Sequence, residues 1–125
     1  MSRQMCFVVA GDLRGFTAYG MKYQAGVDSF CKEFYALVEE CLAPRGGGQK
    51  PFMKKFLGDG FIFLYELPEG VHRQTQTEVA ADVVRQAIMV ERAYAKCVPP
   101  DPPDRRFQTL ESFKDIPTRL GVGVC

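Results

Sequence analysis

The chain has no tryptophan, a single histidine and no clear excess of either charge. The histidine, His72, lies in a polar stretch and is expected to be solvated. The five cysteines (Cys6, Cys31, Cys41, Cys97 and Cys125) are odd in number, widely spaced and without a CxxC pair, which argues against a zinc site or a disulfide framework. Sixteen Lys plus Arg against fifteen Asp plus Glu leave a net charge of +1. That balance gives no bulk attraction to nucleic acid or an acidic membrane, so any anion site must be local. No segment approaches the roughly 18 to 20 continuous apolar residues that span a bilayer, and Met1–Gln4 leads straight into a strand-like run. The visible chain is therefore expected to be neither secreted nor anchored. Cys6, Cys31, Cys41 and Cys97 fall within apolar patterns, where a free thiol packs as a small hydrophobe, and this points to a reducing cytoplasm.

Against these absences stand 46% hydrophobic residues and ten phenylalanines in 125 residues, enough for one domain with a real core. Cys6-Phe7-Val8-Val9-Ala10 reads as a buried strand that delivers Asp12 at its C-terminal end. A short helix is expected from Phe16 to Tyr23. A longer one starts near Val27 or Asp28, where Phe30, Phe34, Leu37, Val38, Cys41 and Leu42 form an amphipathic stripe, and Pro44 with Gly46-Gly47-Gly48 ends it. Phe52–Leu57 and Phe61–Tyr65 read as paired strands around Gly58-Asp59-Gly60, since Asp-Gly favours a two-residue turn whose central residues take positive φ. Each face of the first of these strands carries a lysine, Lys54 or Lys55. Glu66 to Gln76 is a polar loop, and Val79, Val83, Ala87, Val90, Tyr94 and Cys97 mark a second long helix. Pro99-Pro100-Asp101-Pro102-Pro103 forbids regular structure, so 98–117 is expected to be a mobile loop with a helical turn around Leu110–Phe113. Thr118 to Cys125 resumes a strand.

This order is β-α-β-β-α-β, a ferredoxin-like α+β fold with an antiparallel sheet, strand order 4-1-3-2 and both helices on one face. The first and third strands are then neighbours, and Asp12 and Asp59 meet at one edge. Two ionised carboxylates held close repel unless a cation lies between them. Hard oxygen ligands suit Mg²⁺ or Mn²⁺, which keep waters and take further ligands from phosphates. Two such ions would activate an attacking hydroxyl and steady a leaving pyrophosphate. Gly15 and Gly58 allow backbone to approach a phosphate, and the turn after Asp12 leads to a helix start whose free amides attract anions. The alternative is purely local: Asp12 caps its turn and Asp59 makes its hairpin.

The stretches Phe7-Val8-Val9-Ala10-Gly11-Asp12-Leu13-Arg14-Gly15-Phe16-Thr17 and Gly47-Gly48…Lys55-Phe56-Leu57-Gly58-Asp59-Gly60 resemble the opening and central motifs of class III nucleotidyl cyclases. Leu120-Gly121-Val122-Gly123-Val124 is similar to the next strand of that domain. The resemblance implies that Asp12 and Asp59 hold two Mg²⁺ or Mn²⁺ ions with help from the Leu13 carbonyl, and that backbone around Gly15, Phe16 and Thr17 receives the triphosphate. Lys55 matches the position that reads the base, where a cation suits a ring nitrogen of adenine and favours ATP over GTP; the plainer reading of Lys55 is a snorkelling surface lysine. The resemblance further implies a head-to-tail homodimer with the acids of one subunit facing the base-reading residues of the other. The full gene product would make cyclic AMP and pyrophosphate. The family's second base-reading residue and its transition-state Asn and Arg follow the fourth strand, so the 125 residues alone are expected to be catalytically incomplete. Gly11 stands where the family more often has Ala.

Other readings differ in class. A non-catalytic cyclase-like domain would use the same core for dimerisation or nucleotide binding. A diguanylate cyclase would need a Gly-Gly-Asp/Glu-Glu-Phe hairpin, which is absent, and an RNA-binding domain would need a basic-aromatic strand motif.

Overall fold

The computed structural model describes residues 6–44, 48–67 and 73–125. Strand β1 (Cys6–Arg14) is followed by helices α1 (Phe16–Lys22) and α2 (Val27–Leu42), strands β2 (Met53–Phe56) and β3 (Gly60–Glu66), helix α3 (Arg73–Ala95), a 3₁₀ turn (Phe113–Asp115) and strand β4 (Arg119–Val124). The fold is α+β. All the strand pairings are antiparallel, and the order is β2-β3-β1-β4, the expected one.

Strand alternation puts Val9, Leu13, Phe61, Phe63 and Tyr65 on one face, all buried. Phe56 and Lys54 share that face, as do Leu120, Val122 and Val124. Helix α2 meets it with Phe30, Phe34, Leu37, Val38, Cys41 and Leu42, and α3 with Val79, Val83, Ala87, Val90 and Tyr94. The core is rich in rings: Phe34 lies 6.2 Å from Phe61 and 5.5 Å from Tyr94, and Tyr35 stacks on Phe56 at 4.2 Å. Lys54 escapes burial at the edge of the sheet by reaching Glu39 at 3.0 Å. The opposite face carries Val8, Ala10, Asp12, Ile62, Leu64, Met53 and Lys55, half-buried or exposed.

Five expectations change. The turn expected straight after Asp12 comes later, because β1 runs on through Leu13 and Arg14 in register with Leu120 and Arg119. In the stretch 98–117, expected to be a mobile loop, turns carry Phe107 and Ile116 into the core, 0% and 2% exposed. Phe107 stacks on Phe30 at 5.1 Å, and Tyr94 donates a hydrogen bond to the Pro117 carbonyl. Proline punctuation excluded helix and strand there but said nothing about packing. Helix α3 begins at Arg73, inside the expected polar loop; His72 lies outside the described residues. Cys41 and Cys97 are buried and Cys31 half-buried, but Cys6 is exposed, because its strand position falls on the open side of the sheet.

The fifth change concerns the hairpin. Positive φ falls on Gly58 (77°), whereas neither Asp59 nor Gly60 takes it. The Asp59 amide bonds back to the Leu57 carbonyl at 3.0 Å, a three-residue turn centred on Gly58. Gly60 is required for a different reason: a Cβ there would sit 2.5 Å from the Gly11 carbonyl oxygen.

Candidate functional site

Asp12 lies at the end of β1, directly opposite Gly60 of β3 and Gly121 of β4. Its carboxylate lies over Gly121, where a Cβ would come within 3.5 Å of Oδ1. Asp59 precedes Gly60 in the hairpin turn, and its carbonyl accepts the Leu13 amide at 2.7 Å. The two acids therefore stand on neighbouring backbones at one end of the sheet, and both are exposed.

In a regular antiparallel pair the Asp59 amide would return a hydrogen bond to the Leu13 carbonyl. It does not, because the Gly58 turn diverts that amide to Leu57. The Leu13 carbonyl, on the same side of β1 as its amide, faces the turn without that donor. Carboxylates and backbone carbonyls are the hard oxygen donors that Mg²⁺ and Mn²⁺ take, with water or phosphate oxygens completing the coordination, and Asp12, Asp59 and the Leu13 carbonyl are the oxygens of this kind that the backbone brings to this end of the sheet. Among the described residues no three acidic, histidine or cysteine side chains gather into a metal-holding group, so a cation here would rely on backbone and solvent.

Helix α2 fixes the turn from behind. The Tyr35 hydroxyl donates to the Gly58 carbonyl at 3.1 Å, and the Cys31 thiol approaches the same oxygen at 4.0 Å. Burial pushes the Tyr35 hydroxyl up to about 12, with Cys31 and the nearby Asp59 carboxylate adding to the rise. Tyr35 therefore stays a neutral donor at any physiological pH. Cys31, expected only to pack as a small hydrophobe, and Tyr35 thus both serve the turn; their i, i+4 spacing beside the apolar stripe is the signal the sequence offers.

Gly15 takes φ 81° and starts α1, with its carbonyl accepting the Tyr19 amide at 3.1 Å. Phe16 is half-buried against Phe30, and Thr17 is exposed. The Asp12–Thr17 segment thus leaves Asp12, Gly15 and Thr17 open at the same end of the sheet. Lys55 is not brought to the acids within the chain. It shares the open face with Asp12, but it lies on β2 opposite Ile62, and β3 separates it from β1. The separation is about 9 to 10 Å across the sheet before any offset along it.

Gly11 has a local explanation. A Cβ there would lie 2.4 Å from the Phe61 ring, so Phe61 occupies the volume an alanine would need.

Compared with family models, curated proteins and solved structures, the chain matches none.

Proposed function

We propose that the chain is a nucleotide-binding domain of the class III cyclase kind, with a ferredoxin-like βαββαβ core, acting on ATP with two divalent cations. What supports the reading is the backbone at one end of the sheet: the Gly58 turn holds Asp59 on the strand next to Asp12 and leaves the Leu13 carbonyl without the Asp59 amide. Asp12, Asp59 and that carbonyl would hold Mg²⁺ or Mn²⁺. When bound, the ions would promote attack of a ribose hydroxyl on the α-phosphorus and offset charge on the departing pyrophosphate.

The chain's own residues supply the rest. The segment Gly15–Phe16–Thr17 offers backbone amides to the triphosphate, with Gly15 already in the left-handed conformation the turn demands. Lys55 offers a cationic donor to a ring nitrogen of adenine. Its distance from Asp12 within one chain favours a head-to-tail homodimer, where each Lys55 serves the acids of the other copy. The open sheet face suits that use: Met53 and Leu57, each 47% exposed, flank Lys55 with apolar surface that a second copy would cover.

Calorimetry of Mn²⁺ and ATP on the 125-residue protein tests the proposal. ATP should bind in the presence of Mn²⁺, Asp12→Asn should abolish that dependence on metal, and Lys55→Glu should shift preference toward GTP. Equal nucleotide binding by wild type and Asp12→Asn would instead favour an interaction module with no use for the carboxylates.

A further inference from the structure

At the start of β4, on the edge of the sheet, Arg119 stands directly opposite Arg14 of β1. Like charges facing across an antiparallel pair repel. Both arginines are exposed, and neither forms an ion pair among the described residues. They line a cavity of about 380 Å³ between β4 and the C-terminal half of α3, together with Thr118, Leu120 and Glu91. That volume is at the lower end of the range for small-molecule sites.

The ladder adds a further donor. Val8 and Cys125 exchange both backbone hydrogen bonds, at 3.0 and 2.9 Å. Antiparallel alternation then turns the amides of Leu120, Val122 and Val124 away from β1. Glu91 Oε1 accepts the Val122 amide at 3.0 Å. The Leu120 amide has no acceptor among the described residues. Tyr94 donates to the Pro117 carbonyl and so anchors the chain entering Thr118.

We infer that this cavity is an anion site for a phosphate or diphosphate group, gripped by the Arg14 and Arg119 guanidinia with the Thr118 hydroxyl and the Leu120 amide. The set consists of donors, with two carboxylates beside it: Glu91, which accepts the Val122 amide, and Asp12, which precedes Arg14 by two residues on the same strand face and lies over Gly121 at the cavity's edge. Guanidinium forks match phosphate oxygens in pairs, and an anion between the two arginines removes the repulsion that the cross-strand register imposes. Asp12 adjoins the site but donates nothing to the anion, and titration without metal keeps the test separate from the metal reading.

The test is titration of inorganic pyrophosphate into the full 125-residue protein with EDTA present throughout. Wild type is expected to bind, with affinity falling as salt rises because the site is exposed. Arg14→Gln and Arg119→Gln should each weaken binding about tenfold or more, the scale of a lost charge-assisted hydrogen bond. Glu91→Gln should tighten it. Thermal unfolding checks the variants, and each single arginine replacement should hold or raise Tm as the repulsion is relieved. A parallel titration with metal-free ATP separates the sources. Equal losses for ATP mean that the site takes the end of a nucleotide's phosphate chain, and losses for pyrophosphate alone mean that it takes the free anion. Absence of pyrophosphate binding, or affinity unchanged in both arginine variants, overturns the inference.

Discussion

The Leu13 amide donates to the Asp59 carbonyl at 2.7 Å, yet the Asp59 amide turns away to Leu57. This half-made pair is the central geometric feature of the chain. It ties the hairpin turn to the end of β1 and leaves a backbone oxygen facing the turn that bears the second acid. Gly58 makes it possible through its φ of 77°.

Gly58→Ala should therefore act on two levels. A left-handed backbone costs a non-glycine residue about 1 to 2 kcal/mol, although no atom crowds a Cβ at this site. Urea unfolding should show a loss of that size. If the turn relaxes instead, the Asp59 amide regains Leu13, and Mn²⁺ affinity should fall by more than the stability change explains. Unchanged stability together with unchanged Mn²⁺ affinity would mean that the turn is unimportant.

Gly11 and Phe61 should behave as a coupled pair. Gly11→Ala alone overpacks a Cβ against a ring that is 1% exposed, a destabilisation of about 1 to 3 kcal/mol. Combining it with Phe61→Leu frees the volume. The double variant should lose less than the sum of the singles in a denaturant double-mutant cycle; additive losses would show that the two side chains do not compete for space.

Phe107 is fully buried among Phe30 and Tyr94. Phe107→Ala should cost about 3 to 5 kcal/mol, measured by urea or thermal unfolding. A loss below 1 kcal/mol, about what a solvated loop residue would show, would contradict the burial of Phe107 and favour the mobile connection expected from the prolines.

Phe107 also marks where sequence reading stops. Helix α2 was legible because its apolar residues repeat at helical spacing, and the start of β1 because of its apolar run; its end was not, since pairing with β4 carries the strand past Gly11-Asp12 to Arg14. The neighbourhood of Asp12 and Asp59 followed from strand order. None of these signals concerns an isolated aromatic in an irregular segment, whose burial is decided by tertiary contact. The same holds for Gln86, 4% exposed at the core and satisfied by Tyr65 and Gln49. At the site, the residue types were readable, but the turn was not: Asp-Gly suggested positive φ at those two residues, while the structure places it one residue earlier, on Gly58. Arg14 and Arg119 lie 105 positions apart in sequence (119 − 14), and only the β1–β4 register makes them neighbours.

Alkaline titration should separate the folded from the unfolded chain. All five tyrosines (Tyr19, Tyr23, Tyr35, Tyr65 and Tyr94) are held above their ordinary value, four chiefly by burial and Tyr23 by its hydrogen bond to Asp115. An unfolded tyrosine ionises near pH 10, whereas Tyr35 in the fold does so at about 12. Between those values the unfolded chain binds fewer protons, so this contribution to stability is intact below pH 10 and is lost as pH rises toward 12. Tyrosinate absorbance should therefore appear together with loss of near-ultraviolet circular dichroism. Tyr35, Tyr65 or Tyr94 titrating at pH 10 in a protein that keeps its tertiary signal would contradict the burial described.

The most direct test of the account is a double-mutant cycle on Mn²⁺ affinity, read by electron paramagnetic resonance, for wild type, Asp12→Asn, Asp59→Asn and the double variant. Carboxylates that share a cation act as one unit, so each single replacement should weaken Mn²⁺ binding nearly as much as the pair. Additive losses would contradict a shared cation, as would wild-type Mn²⁺ affinity in any of the three variants.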